Sequence, residues 1–172
     1  MKKILYLGFY LGCVAAFFAI ALAITNQITA PRIEAIQEEN FKNALRDAFP
    51  TFTNFTVLDS EDIPFTLQVI EIFEENETIG FVYSQKVQGF VDEVRYLVGV
   101  NMDGYFTSFS VLFSRENPGF GSRIMLDEWI NRVAGNHGSN EIDALTSATV
   151  TTQPIINALQ LAYTDFVRRT NP

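Results

Sequence analysis

Residues 94–114, VRYLVGVNMDGYFTSFSVLFS, give the clearest indication of fold in this chain. Two runs rich in β-branched and aromatic residues, Val94–Val100 and Tyr105–Ser114, flank the turn-forming sequence Asn101-Met102-Asp103-Gly104. This arrangement predicts a β-hairpin, and therefore antiparallel pairing. In the second run larger residues alternate with serines, which predicts that one face of the sheet is buried. The larger residues are Tyr105, Thr107, Phe109, Val111 and Phe113, and the serines are Ser108, Ser110 and Ser114.

Three earlier segments extend the same sheet. Thr53–Leu58, Leu67–Phe73 and Thr78–Lys86 are rich in Val, Ile, Thr and aromatic residues, as strands are. Asn76 predicts a tight turn between the second and third of them. Together with the hairpin, these segments predict a five-stranded antiparallel sheet.

Helical periodicity appears on both sides of the predicted strands. Pro31 predicts a break after an N-terminal helix and the start of a second helix, which ends before Pro50. A short helix follows the hairpin, and a longer one closes the chain, with Pro154 in its first turn and Thr151 or Thr152 as its cap. The fold class is therefore α+β. The short helix carries Met125, Trp129 and Val133, and the last one carries Ile155, Ile156, Leu159, Ala162, Tyr163, Phe166 and Val167.

The N-terminal segment is typical of a membrane anchor. No charged residue occurs from Ile4 to Ile24, a length sufficient for a helix to cross a bilayer. This favours a retained transmembrane anchor at residues 1–28 and a domain at residues 29–172; a cleaved signal peptide is the alternative. Lys2 and Lys3 predict a cytoplasmic N-terminus and an extracytoplasmic domain.

Composition excludes several classes of function. Twenty acidic residues against twelve basic ones give a net charge of −8, which argues against nucleic-acid binding. Cys13 is the only cysteine and lies in the apolar segment, so disulfides and thiolate-ligated metals are excluded. His137 is the only histidine, which excludes a histidine-based metal site. We predict no catalytic and no metal-binding residues, so redox chemistry here requires an organic cofactor.

A hydroxyl-rich stretch, DALTSATVTT at residues 143–152, immediately precedes the apolar part of the last helix. Backbone N–H groups and the dipole at a helix start favour an anion, and small residues at Ser147 and Ala148 would allow close approach to the main chain near Thr149. The loop Pro118-Gly119-Phe120-Gly121 is a second place where a flat ligand could lie close to the backbone. A capped helix start with solvent-facing hydroxyls is the alternative interpretation.

Two motifs resemble those of a known family. Asp143, Thr146, Ala148 and Thr149 match the flavinylation motif Asp-x-x-Ser/Thr-Gly-Ala-Thr of two related proteins. These are RnfG, the FMN-binding protein of the Rnf electron-transport complex, and NqrC, its relative in the Na+-translocating NADH:quinone reductase. Residues 116–121, Glu-Asn-Pro-Gly-Phe-Gly, are similar to the family's Glu-Thr-Pro-Gly-Leu-Gly loop. Ser147 stands where the family usually has Gly; a positive φ there would cost a serine about 1 kcal/mol.

The resemblance implies that Thr149 carries FMN through a phosphoester bond installed by a flavin transferase that uses FAD. It implies a membrane-anchored electron relay in the bacterial inner membrane, with the other membrane proteins of an Rnf-type complex as partners. Asp143 would orient the loop or accept the hydroxyl proton, with capping of a turn as the alternative, while Leu145 and Phe120 would contact the flavin ring. The implied FMN-binding residues are Asp143, Leu145, Thr146, Ser147, Ala148, Thr149, Glu116, Pro118, Gly119, Phe120 and Gly121.

A second class of function fits the same residues. An extracytoplasmic binding or assembly module of this fold, without covalent flavin, would also need no histidine or cysteine. Noncovalent FMN binding by the same loops lies between the two. Thr149 discriminates among these functions, since only the covalent relay requires its hydroxyl.

Overall fold

The N-terminal part of the chain is one long helix. A computed structural model describes residues 2–60 and 63–171, with side chains from residue 6 onward except residue 34. Helix α1, Lys2–Ala48, contains Pro31, so the predicted break at that residue is wrong. Proline removes one backbone donor, but the turns on either side keep their own hydrogen bonds and the helix continues.

The described residues contain one helix that is long and apolar enough to cross a membrane, by its length and composition. An 18-residue window within Tyr6–Ala48 has a mean hydropathy of 2.4, and its side chains are not buried within the protein. This helix is consistent with a single-pass membrane anchor. The chain separates into two compact units at residues 1–40 and 41–172, and the predicted anchor at residues 1–28 falls inside the first.

The five predicted strands form one antiparallel sheet in the order β1-β2-β3-β4-β5. This confirms the predicted α+β fold, with strand ends displaced by about one or two residues, as is usual for strand and helix boundaries. Glu75 and Asn76 both adopt positive φ, 48° and 74°, and so make the tight turn predicted between β2 and β3. The strands are β1 Asn54–Leu58, β2 Thr66–Glu74, β3 Glu77–Gln88, β4 Glu93–Asn101 and β5 Phe106–Phe113.

Both faces of the sheet are covered, so the predicted single buried face is wrong. One face packs against helices α2, Asp127–Val133, and α3, Thr149–Thr170; the other packs against the end of α1. The alternation in β5 fails because its register against β4 shifts between Gly99 and Val100. As a result Phe106 and Phe109 both join the core on the α3 side, while Tyr105 is 46% exposed.

Helix α3 begins earlier than the sequence predicts. Its first residue is Thr149, so Thr151 and Thr152 lie within the first turn rather than capping it, and Pro154 lies beyond that turn. Both threonines are buried, and the Thr152 hydroxyl donates to the Ala148 carbonyl oxygen at 3.0 Å. A hydroxyl that bonds back to the preceding turn is tolerated inside a helix, which explains the difference.

A buried glutamine fixes α3 on the sheet. Gln85, on β3, is fully buried, and its Nε2 donates to the Ala158 carbonyl oxygen of α3 at 2.8 Å. Its Oε1 accepts from the Tyr96 hydroxyl of β4 at 2.9 Å. Burial raises the pKa of Tyr96, so this phenol stays a neutral donor. These bonds set the position of α3 along the sheet and therefore the position of its first turn.

Two strand glycines make room for Phe49, the residue that follows α1. A Cβ on Gly80 would lie 2.4 Å from Phe49 Cζ, and one on Gly99 would lie 3.3 Å from Phe49 Cε2. Glycine weakens a strand interior, so its presence here is explained by the close approach of the ring. The groove over β3 and β4 is thus filled by one phenylalanine.

Gly80→Ala is expected to lower the free energy of unfolding by about 1–3 kcal/mol, because Phe49 must leave its groove. Val57→Ala on the edge strand, where Val57 is 51% exposed, should stay within about 0.5 kcal/mol of wild type. Denaturant unfolding of the detergent-solubilised protein, followed by fluorescence of buried Trp129, measures both. Equal effects of the two substitutions would contradict this packing.

Candidate functional site

The loop that leads into α3 is anchored by Leu145. This side chain is fully buried, and its backbone N–H donates to Thr152 Oγ1 at 3.2 Å. The Leu145 carbonyl oxygen accepts from the backbone N–H of Ala148 at 3.0 Å, which closes a tight turn. The hydroxyl-rich stretch is therefore a defined turn attached to the core, with Thr146 and Ser147 exposed at its tip.

Ser147 has a φ of 70°, in the left-handed region. A residue with a Cβ is disfavoured there by about 1–2 kcal/mol, and glycine is not. The backbone at this position therefore suits the glycine of the flavinylation motif, and the chain holds a serine in the same conformation. Some other interaction must offset the strain.

Thr149 is exposed at the first position of α3. Its hydroxyl donates to the Leu145 carbonyl oxygen at 3.2 Å. The backbone N–H groups of Thr149 and Val150 meet no backbone acceptor within residues 2–60 and 63–171. Free N–H groups and the positive end of the helix dipole favour an anionic group next to this hydroxyl.

A cavity of about 430 Å³ opens beside Thr149. Its size is within the range of small-molecule and cofactor sites. Phe90 and Phe120 supply aromatic walls and are 66% and 60% exposed, while Asn117 supplies an amide. The cavity is lined by Phe90, Asn117, Phe120, Gly121, Ser147, Ala148, Thr149, Val150 and Thr151.

Glu116 is a buried carboxylate behind this cavity. Its Oε2 accepts from the Thr151 hydroxyl at 2.8 Å, and its Oε1 accepts from the backbone N–H of Val91 at 2.9 Å. A Cβ on Gly121 would lie 1.9 Å from Oε2, and one on Gly89 would lie 2.4 Å from Oε1. The carboxylate thus joins the β3–β4 turn, the 116–121 loop and α3, and both glycines are needed to admit it.

Arginines on the next elements contact the hydroxyl-rich loop. Arg123, in the 3-10 turn Gly121–Met125, donates from Nη1 to the Thr146 carbonyl oxygen at 2.6 Å. Arg132 of α2 donates to the Asp143 carbonyl oxygen at 3.4 Å. Glu128 accepts from both guanidinium groups, and the hydrogen bond from Arg123 is the main cause that lowers its pKa.

The structure brings five of the predicted site residues to the cavity and leaves the other six outside its lining. Leu145 is fully buried in the core, so the apolar contact predicted for it is not part of the lining. Glu116 uses its carboxylate on the protein's own N–H and hydroxyl groups. Those at the cavity are Ser147, Ala148, Thr149, Phe120 and Gly121; outside it, besides Leu145 and Glu116, lie Asp143, Thr146, Pro118 and Gly119.

Four lining residues were missed by sequence reasoning: Phe90, Asn117, Val150 and Thr151. Phe90 lies in the β3–β4 turn, far from the motif in sequence, and only the folded sheet brings it to the cavity. Val150 offers a usable signal, because it falls outside the apolar stripe of α3 and is 62% exposed. An apolar residue on the outer face of a helix start is a reasonable indicator of a binding site.

Two sequence families match this chain. Residues 89–164 match the FMN-binding domain family, and residues 1–47 match the RnfG N-terminal region family. The first match includes the cavity and the whole hydroxyl-rich stretch. The second includes nearly all of α1.

The chain is also similar to individual proteins. It is 27% identical to the protein designated G in the Na+-translocating ferredoxin:NAD+ oxidoreductase complex of Acetobacterium woodii, over 94% of this chain and 90% of that one. It is 24% identical to the protein designated G in the ion-translocating oxidoreductase complex of Methanosarcina acetivorans, over 87% of each. NqrC of Shewanella oneidensis has the same fold, with a TM-score of 0.51 and 15% identity over 72% of this chain and 73% of that one.

Ser147→Gly is expected to raise the free energy of unfolding by up to about 1 kcal/mol, because glycine adopts the φ of 70° without strain. Ser147→Val is expected to lower it by about 1 kcal/mol or more, since a β-branched residue is poorly tolerated at positive φ. Both substitutions remove the hydroxyl, so their difference reports the backbone alone. Chemical denaturation measures it, and equal stabilities would contradict the assignment.

Gly121→Ala is expected to lower the free energy of unfolding by about 1–3 kcal/mol, because its Cβ must displace the Glu116 carboxylate. Glu116→Ala removes the obstacle but leaves the Val91 N–H without its acceptor. The double variant should therefore be more stable than the sum of the single effects predicts, by about 1 kcal/mol. Additive effects in this double-mutant cycle would show that the two positions do not compete for space.

Proposed function

We propose that this chain, which resembles RnfG in its N-terminal region and in its FMN-binding domain, is a membrane-anchored flavoprotein that relays electrons within a larger complex. FMN would be attached to Thr149 through a phosphoester bond. The complex would be an ion-translocating oxidoreductase of the ferredoxin:NAD+ type, as the names of the Acetobacterium woodii and Methanosarcina acetivorans relatives suggest.

The observation that carries this proposal is the position of the Thr149 hydroxyl. It is exposed at the first residue of α3 and at the edge of the cavity, so it is accessible to a modifying enzyme. Its hydrogen bond to the Leu145 carbonyl oxygen is 3.2 Å long and would be given up when the hydroxyl loses its proton. The other hydroxyls of the first turn, on Thr151 and Thr152, are buried.

The surrounding groups fit both parts of a flavin nucleotide. The N–H groups of Thr149 and Val150 suit a phosphodiester, which keeps one negative charge. The exposed rings of Phe90 and Phe120 suit a flat aromatic ring system, and the Asn117 amide suits its polar edge. When bound, FMN supplies the capacity to accept and release one or two electrons.

The remaining motif residues support the loop rather than the ring. Asp143 is exposed, and its carboxylate would orient the loop or accept the hydroxyl proton during attachment. Thr146, Pro118 and Gly119 are exposed beside the cavity and would meet the flavin transferase or the ligand's outer edge. Leu145 and Glu116 would act from beneath, by holding the loop and the first turn of α3 in place.

The membrane-facing part of the proposal concerns location and partners. The anchor at residues 1–28 would keep the domain at residues 29–172 on the extracytoplasmic side of a bacterial inner membrane, with the N-terminus in the cytoplasm. The described span from residue 6 has no ionisable side chain before Arg32 apart from tyrosines and Cys13. Ion movement would therefore belong to other membrane proteins of the complex.

Thr149→Ala tests the covalent attachment. The full chain is co-expressed with a flavin transferase in the same cells, and flavin fluorescence is measured on a denaturing gel. Thr149→Ala should abolish the fluorescent band, because the other hydroxyls in the first turn of α3 are buried. Thr146→Ala, which removes an exposed hydroxyl from the same loop, is the matched control and should keep most of it.

The possible outcomes separate the candidate functions. A fluorescent band that survives in Thr149→Ala would overturn Thr149 as the attachment point. A wild-type chain without a band, in cells that flavinylate another protein, but with FMN that dissociates on denaturation would indicate noncovalent binding. A wild-type chain with no flavin in either form would favour the binding or assembly module.

A further inference from the structure

Arg123 connects the two loops that flank the cavity. It lies in the 3-10 turn that begins at the cavity residue Gly121, and it donates from Nη1 to the Thr146 carbonyl oxygen at 2.6 Å. Its side chain is only 25% exposed, so water competes less for this bond than at an open surface. The family motifs do not include this residue, and the proposed chemistry assigns it no part.

The bond falls on the one peptide unit that determines the conformation of Ser147. The Thr146 carbonyl and the Ser147 N–H belong to the same peptide plane, so rotation of that plane changes φ of Ser147. Relaxation of Ser147 to a negative φ by such a rotation would turn the Thr146 oxygen away from Arg123. The guanidinium therefore favours the strained conformer, whose φ is 70°.

Glu128 holds the arginine in the orientation that this requires. Its Oε2 accepts from Arg123 Nη2 at 2.6 Å, and its Oε1 accepts from Arg132 Nη2 at 3.2 Å. Arg132 in turn donates to the Asp143 carbonyl oxygen at 3.4 Å. An exposed ion pair by itself adds little stability, but here it orients donors toward two carbonyl groups of the loop.

We propose that Arg123 is a positioning residue for modification of Thr149: by holding the Thr146 carbonyl it selects the positive φ of Ser147 and keeps the start of α3 in the conformation that the flavin transferase accepts. This rests on the proposed function in one respect only, that Thr149 is the modified residue. The conformational part concerns residues 143–149 alone and is measurable without flavin. A glycine at position 147 would make the arginine largely dispensable, since it needs no help to adopt positive φ.

The test is a double-mutant cycle between Arg123→Ala and Ser147→Gly in the full chain. Arg123→Ala should slow flavinylation by about tenfold, as expected for loss of one hydrogen bond to a charged donor. In the Ser147→Gly background the same substitution should slow it by no more than about twofold, because the strain is absent. Fluorescence on a denaturing gel, followed over time with a flavin transferase and FAD, gives the rates.

Amide hydrogen exchange of residues 143–149 is the second readout. Arg123→Ala should increase exchange there, and the double variant should return it close to wild type. Arg95→Ala, which removes a partly exposed arginine paired with Glu93 on β4, is the matched control and should leave both readouts unchanged. Thermal unfolding of each variant identifies any general loss of folding, and Arg123→Lys, which keeps one donor, should fall between wild type and Arg123→Ala.

The outcomes are distinct for the two proposals. Equal effects of Arg123→Ala in the serine and glycine backgrounds would overturn the positioning role, and so would wild-type rates and exchange in Arg123→Ala. If wild type is not modified at Thr149, the proposed function fails while hydrogen exchange still decides whether Arg123 holds the loop. A glycine-specific rescue in both readouts would support the inference as stated.

Discussion

The buried carboxylate of Glu116 is the interaction on which the candidate site depends. It accepts from the Thr151 hydroxyl of α3 and from the Val91 N–H of the β3–β4 turn, and it belongs to the 116–121 loop. Three segments far apart in sequence are therefore held together at one point. A carboxylate in a buried position requires such donors, because an unpaired buried charge is strongly unfavourable. Gly89 and Gly121 follow from it, since any side chain there would occupy the space of the carboxylate oxygens.

On this foundation the start of α3 adopts a geometry that is costly by itself. Ser147 is strained, the first N–H groups of the helix are free, and Phe90, Phe120 and Val150 expose apolar surface around the cavity. Strain, unpaired donors and exposed apolar groups each lower stability, and they concentrate here while the rest of the sheet is well packed. A bound anionic aromatic ligand would satisfy the donors and cover the apolar surface. The attachment of FMN at Thr149 accounts for all of these features together.

Much of the fold was predictable because its signals are local. Strand patterns, the turn at Asn76 and the periodicity of the last helix each depend on a few neighbouring residues, and the sheet has the predicted strands. The errors came from contacts between distant segments. The continuation of α1 through Pro31, the register shift at Gly99 and the burial of Thr151 depend on neighbours that the sequence alone does not reveal. The candidate site divides in the same way: the motif located Thr149, whereas Phe90 and Asn117 join the cavity only after the sheet has formed.

The most direct measurement is the intact mass of the protein purified from its native membrane, followed by peptide mapping. Covalent attachment predicts a mass increased by that of FMN less one water, with the modified peptide containing residues 143–152 and the group on Thr149. Fluorescence under ultraviolet light should persist after denaturation. An unmodified mass, from cells in which another protein is flavinylated, would contradict the account and would mean that this loop does not accept the flavin.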